Sequence, residues 1–563
     1  MRMKFILLAG VAALSLASCG QKEAAGPETR TSAAALKAEG GSPLDKPFKL
    51  SDATALDVDA LFSLLGEDVK VTYDKAEFDK GLGATVVTNL RLQGAHFDPK
   101  LDIDGGFTVD RAEFYGVDMD AIDRVKTGEA GVDAPFEKIF QKIRLFGVKP
   151  DSSDGGSTVT IGGLELDQLR VRQGGVTEEK GKQGNLARVF NAFDIAGVYF
   201  KDISTKAVEG GENAEGSLTF SAPDLRIVGL GGGKLQAIIV NKLDYQFEQS
   251  EAARAAMLQS LGPAGAILNG PLSSFIAPDH QRSTLETMEW RGIDLSGLMQ
   301  YGLKGEKPPY TATDLIDLGT MEARNADVYI AGRHASHADE MSISAMKFTW
   351  LAPSNIRMET KGAEYDFTAY LPETEDKAIA VLKSHGLDKV KGSSDFAWDW
   401  DSKKGDAGFV SDFDTQGLAD FSMSFDLGGL ELEKIAKASE AGEEKAILNA
   451  GVFKAFDIKI ADEKLLDAVY DIAAIQMGGS GADLRQSAPA MVRMSGIQAA
   501  AINPRFGDYV NAIADFVGEG GTLEISAKPE QPVPLEKLSE ASEKGPDSLP
   551  DLLNIEVKHS KKK

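Results

Sequence analysis

Alternation with a period of two residues constrains this chain more than any other feature. Between residues 419 and 427 the apolar side chains Ala419, Phe421, Met423, Phe425 and Leu427 alternate with Asp420, Ser422, Ser424 and Asp426. Successive side chains of a strand point to opposite faces, so this run reads as a strand with one buried and one wetted face. Leu90 and Leu92, Leu101 and Ile103, Phe107 and Val109, Leu218 and Phe220, Tyr365 and Phe367, and Leu523 and Ile525 repeat the pattern more briefly. Gly105-Gly106 between two such runs suggests a hairpin. Antiparallel sheets with one covered face follow, and the expected fold class is α+β, rich in strand.

Helical patterns interrupt the strands. Asn503-Pro504, then Phe506, Tyr509, Val510, Ile513, Phe516 and Val517, then Gly518, has an N-cap, a first-turn proline, one apolar face and a closing glycine. Asp462 to Gly478 carries Leu465, Leu466, Val469, Ile472 and Ala473 on one side. Asp133 to Gly147 carries Phe136, Ile139, Phe140 and Ile143. All three read as amphipathic helices packed on a sheet face. A short phrase also recurs, in which a strand, a glycine and an apolar–acid–apolar step lead into a helix. It occurs as Phe114-Tyr115-Gly116-Val117-Asp118-Met119, as Trp290-Arg291-Gly292-Ile293-Asp294-Leu295, and more loosely as Gly428-Gly429-Leu430-Glu431-Leu432. The acid stands where a following helix presents free N–H groups. The phrase suggests two similar β-rich units, residues 48–305 and 306–545, divided at Lys304-Gly305-Glu306-Lys307-Pro308-Pro309, with a tail over 546–563.

The 563 residues, 42% hydrophobic, can bury a large core. Eighty-six acids against 61 bases give a net charge of −25. Residues 1–18 hold two bases and no acid, so the chain without them is near −27. A nucleic-acid binder needs a basic footprint, and the one basic run is Lys561-Lys562-Lys563. A membrane barrel needs aromatic girdles and uninterrupted strands, whereas aromatics are 7% here and helical patterns intervene.

At the amino terminus, Arg2 and Lys4 precede an apolar run from Phe5 to Leu16, of secretory length and too short to span a bilayer. Leu16-Ala17-Ser18-Cys19 follows, and Cys19 is the only cysteine. These four residues resemble the bacterial lipobox, where a signal peptidase cuts before a cysteine bearing a diacylglyceryl group. The resemblance implies a signal peptide over 1–18 and an acyl anchor, palmitate or a similar chain, on Cys19. Gly20 stands where an Asp would imply inner-membrane retention, which implies the outer membrane, inner leaflet, facing the periplasm. With Cys19 acylated, no thiol remains for a disulfide. Residues 20–47 are rich in Gly, Ala, Ser, Pro and charge, so 19–47 reads as a lipidated start and flexible tether.

The search for chemistry is largely negative. Of His96, His280, His334, His337, His385 and His559, only His334 and His337 are close, and Gly332 to His337 reads as a loop without the acid of a zincin. Ser344-Ala345-Met346-Lys347 matches the S-x-x-K of penicillin-recognising enzymes, but its surroundings alternate like a strand and no KTG or SDN accompanies it. Gly229-Leu230-Gly231-Gly232-Gly233-Lys234 lacks the first glycine and the Ser or Thr of a P-loop and reads as a hairpin turn. Asp102 with Asp104, and Asp399 with Asp401, read as acids on a wetted strand face. An EF-hand loop from Asp399 would need glycine at 404, where Lys404 stands. No catalytic residue, metal ligand or cofactor site is expected.

Gly521 to Pro529, with Pro532-Val533-Pro534-Leu535 after it, resembles the end of an α-proteobacterial class of envelope proteins of unknown function, over roughly residues 445–555. More distantly, the β-rich body with short helices is similar to AsmA-like and YdgA-like envelope proteins. The expected role is non-enzymatic binding or scaffolding, with an envelope protein or a lipid as partner and no nucleic acid. The alternative is a periplasmic carrier of an apolar ligand such as lipid, suggested by Phe421, Met423 and Phe425 and by the aromatics near Trp350, Trp398 and Trp400. An envelope hydrolase without a recognisable motif is the third reading.

Overall fold

A computed structural model describes residues 42–65, 69–93, 106–129, 131–150, 158–174, 186–209, 216–260, 278–440, 450–544 and 548–561. Twenty strands form one antiparallel sheet among these residues. At one border β1 (Lys70–Thr72) and β2 (Lys75–Asp79) both pair with β3 (Ala84–Gln93). The chain then meanders, each strand pairing with the next. The first run is β4 (Phe107–Tyr115), β5 (Phe136–Pro150), β6 (Thr158–Arg172), β7 (Phe193–Glu209), β8 (Gly216–Gly231), β9 (Lys234–Gln249) and β10 (His280–Asp294). It continues through β11 (Thr320–Ile330), β12 (Arg333–Thr349), β13 (Ala352–Tyr365), β14 (Val390–Asp401), β15 (Asp406–Thr415), β16 (Ala419–Gly428) and β17 (Val452–Asp462). β17 is flanked by β18 (Gly521–Ala527) and β19 (Val533–Pro534), and β20 (Ile555–Ser560) closes the far border on β18.

The sheet is one rather than two. The expected boundary at Lys304–Pro309 falls in the connection between β10 and β11, which pair from Gln281–Ile330 to Arg291–Thr320. Residues 549–560, expected in a tail, instead supply a short helix and the border strand β20. At the other end, residues 42–47, read as the close of a tether, are packed: Leu44 is buried, and Arg144 donates to the carbonyls of Pro43 and Lys46 at 3.1 and 3.0 Å.

Two of the three expected helices are present, Leu465–Met477 and Arg505–Glu519. The third, over Asp133–Gly147, is instead β5. Its pairing with β6 shifts between Lys138 and Phe140. This irregularity spaces Phe136, Ile139, Phe140 and Ile143 as a helix would, although the backbone is extended. Tyr365 ends β13, while Phe367 begins a 3-10 turn, Phe367–Tyr370.

The three copies of the recurring phrase do the same local job. Gly116, Gly292 and Gly429 take φ of 57, 75 and 73°, turning the chain out of β4, β10 and β16 into the helices Met119–Thr127, Ser296–Lys304 and Leu432–Glu440. Asp118 accepts from Ala121 N at 2.8 Å and Asp294 from Ser296 N at 2.9 Å, so these two acids cap free N–H groups.

Among the described residues, helices pack on the apolar face at its two borders and, between them, at strand ends, where Asp376–Ser384 and Leu465–Met477 join Tyr365 and Val390 and the turn Phe367–Tyr370 packs with Val328. Val58–Ser63 packs Val58 into a cluster with Val87, Leu90, Val109, Ala112 and Phe114 of β3 and β4, and Phe62 meets Phe114 edge-on at 6.2 Å. At the opposite border Arg505–Glu519 lies on β18 and β20, with Phe516 against His559 and Tyr509 Oη donating to Ile555 O at 2.7 Å. Helix Gly481–Ile502 packs outside it.

Candidate functional site: an uncovered apolar trough

Between those borders, one face of the sheet is apolar from strand to strand. The row Phe114, Ile143, Leu166, Val198, Ile227, Ile238, Trp290, Met321, Ile343, Met358 and Phe396 is joined pair by pair from β4 to β14. Beyond it, Ser411, Met423, Ile458, Ile525 and Val557 continue the row to β20. Side chains directly opposite on neighbouring strands pack against each other, so the row is a continuous apolar stripe.

Left-handed residues cross β6, β8 and β10 at Gln168, Gly229 and Gly292, φ 46, 61 and 75°, but the longest line of breaks in the alternation that builds this face runs from β3 to β13. Asn89, Gly147, Asp202, Lys242, Asn325 and Gly362, in β3, β5, β7, β9, β11 and β13, all have φ between 48 and 65°. The flanking pairs place Asp110, Gly162, Pro223, Glu286 and Asp339 of the intervening strands on the same line. At each crossing the inward set shifts by one residue: Leu285 then Met288, Val240 then Leu243, Ala323 then Ala326, Ala338 then Met341. A left-handed residue kinks a strand and bends its sheet. Asn, Asp and Gly tolerate that conformation, and Gly147 and Gly362 are further required because a Cβ there would collide with the carboxylates of Asp110 and Asp339.

Ala222, Val240, Leu243, Leu285, Ala323, Ala326 and Ala338 are buried on both sides of this crease, with Ile203, Phe220, Leu225, Ile238, Met288 and Met341 packed around them. Among the described residues no helix lies over this group. The bend along the line brings the flanking rows toward each other, making the face a trough. It holds an apolar hollow of about 80 Å³ bordered by Leu243, Leu285, Met288, Met321, Met341 and Met358. Polar side chains on that face are few, Tyr245, Ser283, Ser336, Thr360 and Tyr365; Thr284, Asp327, His337, Ser342 and Glu359 also border the hollow, from positions that alternate to the opposite face.

The histidine pair lies in β12, not in a loop as expected. Cross-strand pairing in β12 sets His337 opposite Asp327 of β11. The Asp327 carboxylate meets His334 Nε2 at 2.7 Å and His337 Nδ1 at 2.9 Å, and His337 Nε2 meets Asp339 at 3.2 Å. Burial draws the His337 pKa down, but Asp327 and Asp339 outweigh it and leave the ring above its ordinary value. Among the described residues no group of three His, Asp, Glu or Cys side chains is placed to hold a metal ion.

The other expected residues fall apart in space. Ser344 and Lys347 lie in β12, with no helix start. Gly232 and Gly233, φ 58 and 79°, form the two-residue turn between Gly231 and Lys234 that joins β8 to β9. Asp401 accepts from Lys403 N and Lys404 N at 3.1 Å, closing the β14–β15 turn, and Asp399 holds Asn355 Nδ2 at 2.7 Å. His385 pairs with Asp471 at 2.8 Å, His559 meets Gly520 O at 2.7 Å, and His280 begins β10. Leu16, Ala17, Ser18, Cys19, His96, Asp102, Asp104 and Gly105 lie outside the described residues. Phe421, Met423 and Phe425 stand on the same apolar face, beyond the end of the crease. Phe425 stacks on Phe409 at 5.0 Å and lies 6.5 Å from Trp398.

The crease escaped the reading of the sequence, yet its signal is there. Apolar pairs separated by two residues recur where a strand should alternate: Val109-Asp-Arg-Ala112, Ala222-Pro-Asp-Leu225, Leu285-Glu-Thr-Met288, Ala323-Arg-Asn-Ala326. A one-residue change of parity repeated in successive strands marks a bend shared by the whole sheet.

A family model described only as an uncharacterized protein matches residues 412–560, which run from late β15 to β20 and include the helical border. No curated protein matches the chain.

Proposed function

We propose that this chain is a lipid-anchored protein of the bacterial envelope that holds the alkyl part of an apolar ligand in the uncovered trough. The observation that carries this reading is the contrast in cover: helices roof the apolar face at both borders and reach the strand ends at Val328, Tyr365 and Val390, while among the described residues none packs with Leu243, Leu285, Met288 and Met341. Four methionines border the hollow, and their unbranched side chains adapt to alkyl ligands. The anchor is Cys19, behind the cleavage segment Leu16-Ala17-Ser18, and the setting is the outer membrane's periplasmic leaflet. No helix among the described residues is long and apolar enough to cross a membrane.

Native mass spectrometry of protein gently extracted from cells tests the trough. Bound lipid that disappears in a folded Met341→Asp variant supports it, and a ligand-free wild-type protein contradicts it. Metabolic labelling with a clickable fatty acid tests the anchor: label on the wild type and none on Cys19→Ser is expected.

Scaffolding is the second reading, favoured by a different surface. Met477, Met491, Met494, Ile497 and Ile502 of the helices Leu465–Met477 and Gly481–Ile502 are 51–70% exposed. Such an apolar helix face is the kind that a protein partner covers.

A further inference from the structure

The border of the hollow also says which head group fits. Resting on the trough reading, we propose that its ligand is an uncharged amphiphile, a long alkyl chain ending in hydroxyl or ester groups, and that anionic lipids are disfavoured there.

The first observation is a hydroxyl row beside the hollow. Tyr245 of β9 pairs with Ser283 of β10, Ser283 with Val328 of β11, Val328 with Ser336 of β12, and Ser336 with Tyr365 of β13. These positions share the apolar face, two residues from Leu243, Leu285, Ala326, Ala338 and Ala363. Four of the five carry hydroxyls, groups that both donate and accept; Ser283 Oγ accepts from Gln281 Nε2 at 3.2 Å and Ser336 bonds Tyr370. Burial raises the Tyr245 pKa, so that group keeps its proton at neutral pH. The row therefore lies across the trough, parallel to the methionine rows on the other side of the crease. An alkyl chain on Met288 and Met341 would carry its head to these hydroxyls.

The second observation is charge. Among the described residues bordering the hollow none is Lys or Arg; its two acids, Asp327 and Glu359, hold strand positions that alternate to the opposite face. Lys361, the cation beside Glu359, is already paired with Glu359 at 2.9 Å and Glu340 at 3.3 Å. His337 has both ring nitrogens engaged by Asp327 and Asp339. A carboxylate or phosphate drawn in would lose water and find no cation. An uncharged hydroxyl head meets none of these costs and exchanges hydrogen bonds with the row.

The test is titration of the delipidated full chain, at pH 7.5 and below micelle formation, with two probes of equal chain length, 1-monolauroylglycerol and laurate. The glycerol ester is expected to bind about ten-fold or more tightly than laurate, a difference of roughly 1.4 kcal/mol. Tyr245→Phe combined with Ser283→Ala is expected to shrink that preference to within about three-fold, without unfolding the sheet by circular dichroism. Met341→Asp is expected to abolish binding of both. Laurate binding as tightly as the ester would overturn the head-group proposal and leave the trough standing. Preference unchanged in the double variant, or binding that survives Met341→Asp, would also overturn it. Failure of both probes to bind would overturn the trough reading and this inference together.

Discussion

The borders of the sheet and its middle are built from the same apolar face, yet they bury it in different ways. At the β3–β5 border, residues 42–63 straddle the sheet. On one side Val58 and Phe62 cover Val87, Leu90 and Phe114. On the other, residues 43–48 lie over a buried ion cluster: Glu165, 1% exposed, accepts from Lys142 and from Arg144 Nε at 2.8 Å, while Phe48 meets Tyr115 edge-on at 4.9 Å. In the middle nothing described lies above Met288 or Met341, and the crease alone folds the face toward itself. A border residue is therefore fixed by a partner from another element, and a trough residue only by its sheet neighbours. Stability should concentrate at the borders and ligand response in the middle.

The largest effect is expected at Glu165. Glu165→Ala leaves Lys142 and Arg144 buried without their carboxylate and should cost about 3–5 kcal/mol in urea unfolding. Phe114→Ala opens a cavity beneath Phe62 and should cost about 3 kcal/mol, whereas Met341→Ala, half-exposed, should cost under about 2 kcal/mol. Equal losses at Phe114 and Met341 would erase the distinction between border and middle.

Third comes the crease. Gly362→Ala forces a Cβ into the Asp339 carboxylate at φ 61° and should cost about 1–3 kcal/mol. It should also weaken alkyl-probe binding, and a variant that bound normally would separate the bend from the trough's function.

The smallest effect depends on pH. His337 is raised in the folded state by Asp327 and Asp339, against the opposing pull of burial. A raised histidine pKa gives stability that is fully present below the unfolded value, about 6.5, and is lost as pH rises through the folded value. His337→Gln should therefore lose stability below about pH 6, by under about 1 kcal/mol, and match the wild type at pH 9. A loss of the same size at both pH values would point to packing instead of charge.

Much of the sheet was legible in the sequence and the site was not, for one physical reason. β16 keeps perfect alternation because the crease does not reach it, so Phe421, Met423 and Phe425 declared their common face. From β3 to β13 the crease, set by left-handed residues in alternate strands, resets the parity and cuts each strand into two short runs such as Leu90–Leu92 and Phe107–Val109. In β5 that reset and the irregularity at Lys138–Phe140 together imitated a helix. The Asp–His contacts between β11 and β12 depend on cross-strand register, which no local spacing carries. The glycine–acid phrase was legible because its work, a turn and an N-cap, is local.

The central claim is that the uncovered middle takes up an alkyl ligand, and methionine footprinting tests it most directly. Limited peroxide oxidation, read residue by residue by mass spectrometry, would be compared for the delipidated chain with and without 1-monolauroylglycerol. Slower oxidation of Met288, Met341 and Met358, with Met491 and Met494 unchanged, is the predicted result. Protection confined to Met491 and Met494, or none at all, would contradict it.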